Sequence, residues 1–305
     1  MSATVDSSHG INIDVDELIG VRALLNDVGG TRLRRYASTR MGARELHLRG
    51  RGMEYAESRA YVYGDDIRTM DWRVMARTGE AYSKVFAEEK DRCYLLAVDL
   101  SESMFFGTRF AFKSWAAAQV AAHLGWLASF AGERIGGLVA TPGYHSEIRP
   151  GKTRSGLLGV FHHLARADRL RVPDAGAGNR LGLVLTELKR VIRPGARIAL
   201  ISDFLGIDEQ ALQALANIAS HNQVTAYWIH DDSEVSEWPP GYYPVLGADD
   251  KTTLDLVDSH RRDWLAQLQL QHRSRLESLC DKFDILLQPV SCNRDITAQV
   301  LAVTT

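Results

Sequence analysis

Cysteine is scarce in this sequence: Cys93, Cys280 and Cys292 are the only three among 305 residues. They form no CxxC pair, and their odd number disfavours a disulfide framework. Residues 1–10 lack the basic and apolar regions of a secretory signal peptide. Reduced thiols and the missing signal together predict a cytoplasmic protein.

The sequence also lacks an excess of charge and a long apolar run. The 36 Lys and Arg against 38 Asp and Glu give a formal net charge of -2, which supplies no general field for nucleic acid or an anionic membrane. The most apolar stretch, 115–130, contains Gln119 and His123 and is shorter than the roughly 20 apolar residues of a membrane span. We therefore expect no nucleic-acid partner and no membrane span.

Several catalytic motifs are missing as well. The sequence contains no GxSxG nucleophile elbow, no HExxH metal motif and no GxxxxGK[ST] phosphate loop. An aspartyl-nucleophile phosphatase would need a second acid two residues after Asp99, where Ser101 stands. These absences favour a binding protein over an enzyme, and no catalytic residue is assigned.

From residue 92 onward, apolar strands alternate with helical patterns. Continuous apolar runs predict buried strands, and apolar spacings of three and four predict helices; the strands are at 93–98, 197–201 and 224–229, and the helices at 108–131, 180–192 and 209–221. Buried strands separated by helices predict an α/β protein with a doubly wound, mostly parallel sheet. The polar stretch 232–258 is expected to be an irregular excursion.

The N-terminal part lacks this alternation of strands and helices. Residues 12–28 predict a short amphipathic helix, and two strand-like pieces, 60–63 and 82–86, flank a turn at 64–66. The segment is too short and polar to bury a core of its own. We therefore predict an extension at 1–91, followed by a domain at 92–305. Four side chains are expected to dock the extension on that domain: Tyr61, Tyr63, Trp72 and Met75.

Oxygen-bearing side chains follow two of the predicted strands. Asp99, Ser101 and Ser103 come directly after the first strand, and Asp203 follows the second. Carboxyl ends of parallel strands meet at one edge of a sheet, where ligands bind. Hydroxyl and carboxylate oxygens suit Mg²⁺. We expect this loop to be exposed, so that Ser101→Ala costs little stability.

A second interpretation of the same loop stays open. Ser101 or Ser103 could cap the following helix, and Asp99 could accept hydrogen bonds from backbone N–H groups. The presence of a second acid, Asp203, favours a ligand site over this interpretation.

Three stretches carry a family resemblance. LLAVDLSESMFFG at 95–107 resembles the metal-ion-dependent adhesion site of von Willebrand factor A domains. Together with GRGMEYAESRAYVYGDDIRTMDWRVMAR at 50–77 and ALISDFLG at 199–206, it resembles the bacterial family called domain of unknown function 58. The resemblance covers roughly residues 40–300. It implies a von Willebrand factor A-like fold with an N-terminal helix and β-hairpin extension.

The resemblance also implies a set of metal ligands. Ser101 and Ser103 would bind Mg²⁺ directly, and Asp99 and Asp203 would act through water. The position of a further ligating Thr holds Asn179, whose amide oxygen can also ligate. The neighbouring Arg180 disfavours a cation, so weak binding is expected.

The function implied is that of a non-enzymatic adaptor. A carboxylate of a partner protein would complete the metal's ligands. The resemblance further implies cooperation with a MoxR-type AAA+ ATPase in the assembly or maturation of protein complexes, with an unknown client protein. Two alternatives stay open. One is a metal-dependent hydrolase or phosphoryl-transfer enzyme that uses Asp99 and Asp203, and the other is a metal-free scaffold, which Asn179 favours.

Overall fold

The computed structural model describes most of the chain: residues 10–27, 53–62, 70–88, 93–141, 144–152, 154–170, 180–192, 194–246 and 251–302. The chain divides into two compact units. The larger comprises Met1–Arg44 and Arg92–Thr305, and the smaller comprises Glu45–Asp91.

Eight α-helices lie within the described residues. In chain order they are α1 (Val15–Asp27), α2 (Trp72–Thr78), α3 (Lys113–Phe130), α4 (Arg154–Leu170), α5 (Arg180–Val191), α6 (Glu209–Ala219), α7 (Ser259–Lys282) and α8 (Ile296–Ala302). None of these helices is long and apolar enough to cross a membrane.

The described residues also form ten strands. They are β1 (Met53–Ala60), β2 (Tyr82–Glu88), β3 (Cys93–Asp99), β4 (Arg134–Thr141), β5 (Tyr144–Lys152), β6 (Arg197–Ser202), β7 (Gln223–His230), β8 (Tyr242–Leu246), β9 (Lys251–Asp255) and β10 (Leu286–Ser291).

The larger unit is built on a six-stranded sheet. The strand order is β10-β7-β6-β3-β4-β5, and every neighbouring pair is parallel except β4 and β5. This confirms the predicted mostly parallel α/β sheet. The chain runs outward from β3 through β4 and β5, and then returns to place β6 on the other side of β3. The gap between the ends of β3 and β6 is therefore the switch point at which such sheets bind ligands.

Helices cover both faces of this sheet. One core contains Leu96 and Val98 of β3 together with buried residues of α1, α3, α4 and α8. The other contains Leu95 and Ala97 with residues of α5, α6 and α7. Successive side chains of a strand point to opposite faces, so a strand buried on both faces is apolar throughout. That explains the continuous apolar run at 95–98.

Three boundaries differ from the sequence-based prediction. Helix α1 packs in the larger unit, whereas the sequence placed it in an extension ending at residue 91. Helix α3 begins at Lys113 and not at Thr108, because the Thr108 backbone N–H and hydroxyl donate to Asp231. The stretch 232–258 is not wholly irregular, since it contains the antiparallel pair β8 and β9.

The smaller unit is an antiparallel pair, β1 and β2, with α2 between them in the chain. Asp71 caps α2 by accepting from the backbone N–H groups of Arg73 and Val74. Trp72 opens this helix and is 61% exposed. The predicted turn at 64–66 and Tyr63 lie outside the described residues, so docking of this segment stays a prediction.

Adjacent leucines on α1 test its place in the larger core. Leu25 is fully buried, whereas Leu24 is 52% exposed. Leu25→Ala should lower the free energy of unfolding by about 2–4 kcal/mol, because it leaves a cavity, and Leu24→Ala should change it by less than about 0.5 kcal/mol. Urea unfolding of the full chain measures both. Equal effects of the two substitutions would contradict the packing of α1.

Candidate functional site

The site forms where β3 and β6 end side by side. Val98 pairs with Ile201 in the parallel ladder, so Asp99 and Ser202 emerge next to each other. The Ser202 hydroxyl donates to Asp99 Oδ2 at 2.8 Å and accepts from the Phe204 backbone N–H at 2.9 Å. Phe204 has a φ of 57°, which is rare for a bulky residue. This strained turn follows Asp203 directly.

The loop after β3 folds back on Asp99. Asp99 Oδ1 accepts from the Ser101 backbone N–H at 2.9 Å, and Oδ2 accepts from the Ser101 hydroxyl at 3.3 Å. A single turn of 3-10 helix, Glu102–Met104, brings Ser103 to the same side. The hydroxyl oxygens of Ser101 and Ser103 lie 3.2 Å apart, and the Ser103 hydroxyl donates to Asp203. Two hydroxyls and two carboxylates therefore form one connected cluster.

Asp99 is held in an environment that disfavours its charge. The residue is 3% exposed. Burial and the neighbouring Asp203 carboxylate raise the pKa of Asp99 to about 6, although hydrogen bonds from Ser202 and Ser101 act in the opposite direction. A carboxyl group with a pKa this close to neutrality is common at functional sites.

A buried lysine completes the cluster. Lys113, the first residue of α3, is 1% exposed. Its ammonium donates to Asp203 Oδ2 at 2.9 Å and to Glu234 Oε1 at 2.7 Å. Burial disfavours the ammonium, but the carboxylates of Asp203 and Glu234 outweigh burial and raise the pKa of Lys113. Burial likewise opposes the charge of Asp203, yet Lys113 lowers the pKa of that carboxyl overall.

Glu234 is fixed by a capping box after β7. The Asp231 backbone N–H donates to Glu234 Oε2 at 2.9 Å, and the Asp231 carboxylate accepts from the Ser233 N–H at 2.8 Å. The same carboxylate accepts from the backbone N–H and the hydroxyl of Thr108, at 2.8 and 2.7 Å. Burial opposes the charge of Asp231, but these hydrogen bonds hold its pKa below the usual range. Asp231 thus anchors both Glu234 and the segment that leads to Lys113.

Four of the five predicted ligand residues belong to this cluster. The structure brings Asp99, Ser101, Ser103 and Asp203 together at the carboxyl edge of the sheet, as predicted for the two acids. Asn179 lies outside the described residues. Metal coordination by any of the five stays a prediction.

Two expectations about the loop were wrong. Ser101 is only 8% exposed, and its backbone N–H and hydroxyl both bond to Asp99, although Glu102 is exposed and Ser103 is half-buried. Helix capping by the serines is wrong too. Phe112 is the N-cap of α3, and Ser101 precedes the 3-10 turn without a side-chain capping hydrogen bond. Asp99 does accept one backbone N–H, as that interpretation proposed.

Three residues of the cluster were not predicted from the sequence: Lys113, Asp231 and Glu234. Lys113 is the one Lys, Arg, Asp or Glu in the 18 residues of α3, and a lone cation at the start of an otherwise uncharged, apolar helix was the available signal. Asp231 and Glu234 stand in the acidic passage HDDSE directly after β7. Their position beyond a strand end could have pointed to the same edge of the sheet.

The cluster fits a divalent cation in its oxygen spacing. Adjacent ligands of an octahedral Mg²⁺ at about 2.1 Å lie about 3 Å apart, close to the 3.2 Å between the two serine hydroxyls. Among the described residues, no group of three or more His, Cys, Asp and Glu side chains could hold a metal ion. A metal here would therefore depend on the hydroxyls as well as on the carboxylates.

The fold and cluster define an α/β protein with a polar site at the carboxyl edge of a mostly parallel sheet. Residues 57–275 match the family described as protein of unknown function DUF58, and the chain belongs to this family.

Two uncharacterized mycobacterial proteins are similar to this chain in sequence. The uncharacterized protein Rv1480 of Mycobacterium tuberculosis is 31% identical over 229 residues, covering 74% of this chain and 70% of that one. The uncharacterized protein Mb1516 of Mycobacterium bovis matches to the same extent.

Two solved structures are more distant. The conserved hypothetical protein BatB from Bacteroides thetaiotaomicron is 16% identical, with a TM-score of 0.44, covering 70% of this chain and 95% of that one. An aerotolerance-related membrane protein from Bacteroides fragilis is also 16% identical, with a TM-score of 0.38, covering 63% and 98%. Both scores are low, so neither likeness supports a fold or a function for this chain.

The raised pKa of Asp99 predicts a pH-dependent cost in stability. The folded protein holds this proton more tightly than the unfolded chain, whose pKa is near 3.8, so the cost grows as the pH rises through about 4 to 6. Asp99→Asn should remove it. In chelator, the variant should gain about 1–3 kcal/mol in unfolding free energy relative to wild type between about pH 4.5 and pH 7.5.

Asp231→Asn serves as the control of opposite sign. Its carboxylate has a lowered pKa, so its charge stabilises the fold at neutral pH and that contribution is lost in acid. The variant should be less stable than wild type by a nearly constant amount between about pH 7.5 and pH 4.5, and the difference should shrink only in stronger acid, below the unfolded pKa near 3.8. Urea unfolding across this pH range measures both variants. A gain from Asp99→Asn that does not change with pH would contradict the assigned environment.

Proposed function

We propose that this protein is a non-enzymatic adaptor that binds a partner protein through a divalent-cation site at the carboxyl edge of its sheet. The observation that carries the proposal is the pair of hydroxyls of Ser101 and Ser103, 3.2 Å apart, with the carboxylates of Asp99 and Asp203 behind them. The proposal includes a von Willebrand factor A-like fold for the larger unit, supported by the mostly parallel sheet and by the location of this cluster.

Each residue of the cluster would have its own role in binding Mg²⁺. Ser101 and Ser103 would hold Mg²⁺ directly, Asp99 and Asp203 would hold its waters, and Asn179 would supply a further oxygen. When bound, Mg²⁺ ligated by neutral hydroxyls supplies an electrophilic position that a carboxylate of the partner can fill. The chain's own contribution is to fix the two hydroxyls, because each one is hydrogen-bonded within the cluster.

An enzymatic alternative has one observation in its favour. The pKa of Asp99 near 6 would suit a general base. However, both oxygens of Asp99 already accept hydrogen bonds from Ser101 and Ser202, and Asp99 is almost fully buried. Asp203 is likewise engaged, because its Oδ2 accepts from the Lys113 ammonium. Both acids are engaged inside the protein, which favours a binding role over proton transfer to a substrate.

The proposed partner is a MoxR-type AAA+ ATPase, with which the adaptor would act in the assembly or maturation of client complexes in the cytoplasm. Support for this partner comes from membership of the DUF58 family and from the resemblance carried by the motif at 50–77. The observation that favours a metal-free scaffold instead is Lys113, an internal cation within the cluster.

The serine hydroxyls allow a direct test. Ser103 is less buried than Ser101, so Ser103→Ala is the better probe. In Mg²⁺, the substitution should weaken binding to a purified MoxR-type ATPase from the same genome by about tenfold or more, the equivalent of about 1.4 kcal/mol. In chelator it should change nothing. Calorimetric titration in both buffers measures the two affinities.

A matched serine provides the control. Ser114 is fully buried at the start of α3, and its hydroxyl has no hydrogen-bond partner among the described residues, so Ser114→Ala should leave binding unchanged in both buffers. Because coupling is reciprocal, the ATPase should also raise the Mg²⁺ affinity of the adaptor by the factor by which Mg²⁺ raises ATPase binding. Partner binding that is indifferent to chelator would leave the metal-free scaffold as the account.

A further inference from the structure

The position of the Lys113 ammonium would lower the stability of the fold if it had no partners. Lys113 is the first residue of α3, and the amino end of a helix carries a partial positive charge that disfavours a cation. Its ammonium is also withdrawn from water, with 1% exposure, and an unpaired buried charge is strongly destabilising. Two carboxylates compensate for both costs, Asp203 at 2.9 Å and Glu234 at 2.7 Å.

The ammonium and a divalent cation would share one carboxylate. Asp203 accepts from Lys113 through Oδ2 and from the Leu205 N–H through Oδ1, and it also accepts from Ser103. Asp203 is thus already neutralised by an internal cation. Two cations that compete for one buried carboxylate repel each other strongly, because little water screens them.

We propose that Lys113 is a built-in competitor of the divalent cation, which weakens metal binding at Asp99, Ser101, Ser103 and Asp203. The proposal rests on the proposed function for the identity of the ligand site. Glu234 is the second carboxylate that binds the ammonium, and it draws Lys113 away from Asp203. The other carboxylate oxygen of Glu234 accepts from the Asp231 N–H. The balance between Asp203 and Glu234 then sets how much of the Asp203 charge is left for a metal.

This arrangement predicts effects of opposite sign at two residues that bond to each other. Lys113→Met removes the competitor and should raise Mg²⁺ affinity by at least about tenfold. Glu234→Gln leaves Asp203 as the only charged partner of Lys113 and should lower Mg²⁺ affinity. Simple damage to the site would lower the affinity in both variants, so the difference in sign separates competition from disruption.

A distant ion pair supplies the matched control. Arg197 begins β6, at the opposite end of the strand from the site, and pairs with Glu133; both side chains are buried. Arg197→Met therefore removes a buried cation from its carboxylate partner without touching the cluster. It should destabilise the protein but leave Mg²⁺ affinity unchanged.

The experiment is calorimetric titration of MgCl₂ into the full chain of wild type and of the three variants, at neutral pH. Thermal unfolding with and without Mg²⁺ accompanies it. Lys113→Met leaves Asp203 unpaired, so Mg²⁺ should raise the unfolding temperature of this variant more than that of wild type. If this variant does not fold, Glu234→Gln keeps the buried pair of Lys113 with Asp203, and its loss of affinity tests the proposal.

The outcomes separate the two proposals. Tighter Mg²⁺ binding by Lys113→Met, with weak or undetectable binding by wild type, supports the competitor. Wild-type binding that Lys113→Met does not strengthen, or that Glu234→Gln does not weaken, overturns the competitor and leaves the metal site standing. Absence of Mg²⁺ binding in wild type and in folded Lys113→Met alike overturns the competitor together with the metal site.

Discussion

The ammonium of Lys113 is the interaction on which the rest of the site depends. It joins the start of α3, the loop after β6 and the turn after β7, since Asp203 and Glu234 belong to the last two. Each of these segments ends or begins at the carboxyl edge of the sheet. Without the ammonium, the buried carboxylate of Asp203 would face the buried carboxylate of Asp99 with no compensating charge. The lysine therefore allows two acids to lie buried next to each other.

The cluster keeps acids close together at a cost in stability. The pKa of Asp99 near 6 records an unfavourable ionisation, and Phe204 adds a strained backbone beside Asp203. A structural role alone would be met by a neutral amide with similar hydrogen bonds. Sites of binding or catalysis commonly retain such destabilising charges. This physical cost is the reason why we propose a binding site at the carboxyl edge of the sheet.

Much of this arrangement follows from the sequence because it is local. The apolar runs that became β3, β6 and β7 identify strands buried on both faces, and parallel pairing then brings Asp99 and Asp203 to one edge. The pairing of Lys113 with Asp203 and Glu234 could not be derived in this way, since it joins residues 90 and 121 positions apart. The place of α1 in the larger core and the burial of Ser101 likewise depend on tertiary contacts that no local pattern encodes.

We propose that the carboxyl edge is a cation site that an internal lysine partly fills. The most direct test is anomalous diffraction from crystals of the wild-type protein soaked in Mn²⁺, which accepts the same oxygen ligands as Mg²⁺. The account predicts an anomalous peak in contact with the hydroxyl oxygens of Ser101 and Ser103, with the Lys113 ammonium retained on Glu234. Saturating Mn²⁺ that leaves no peak at these hydroxyls would contradict it.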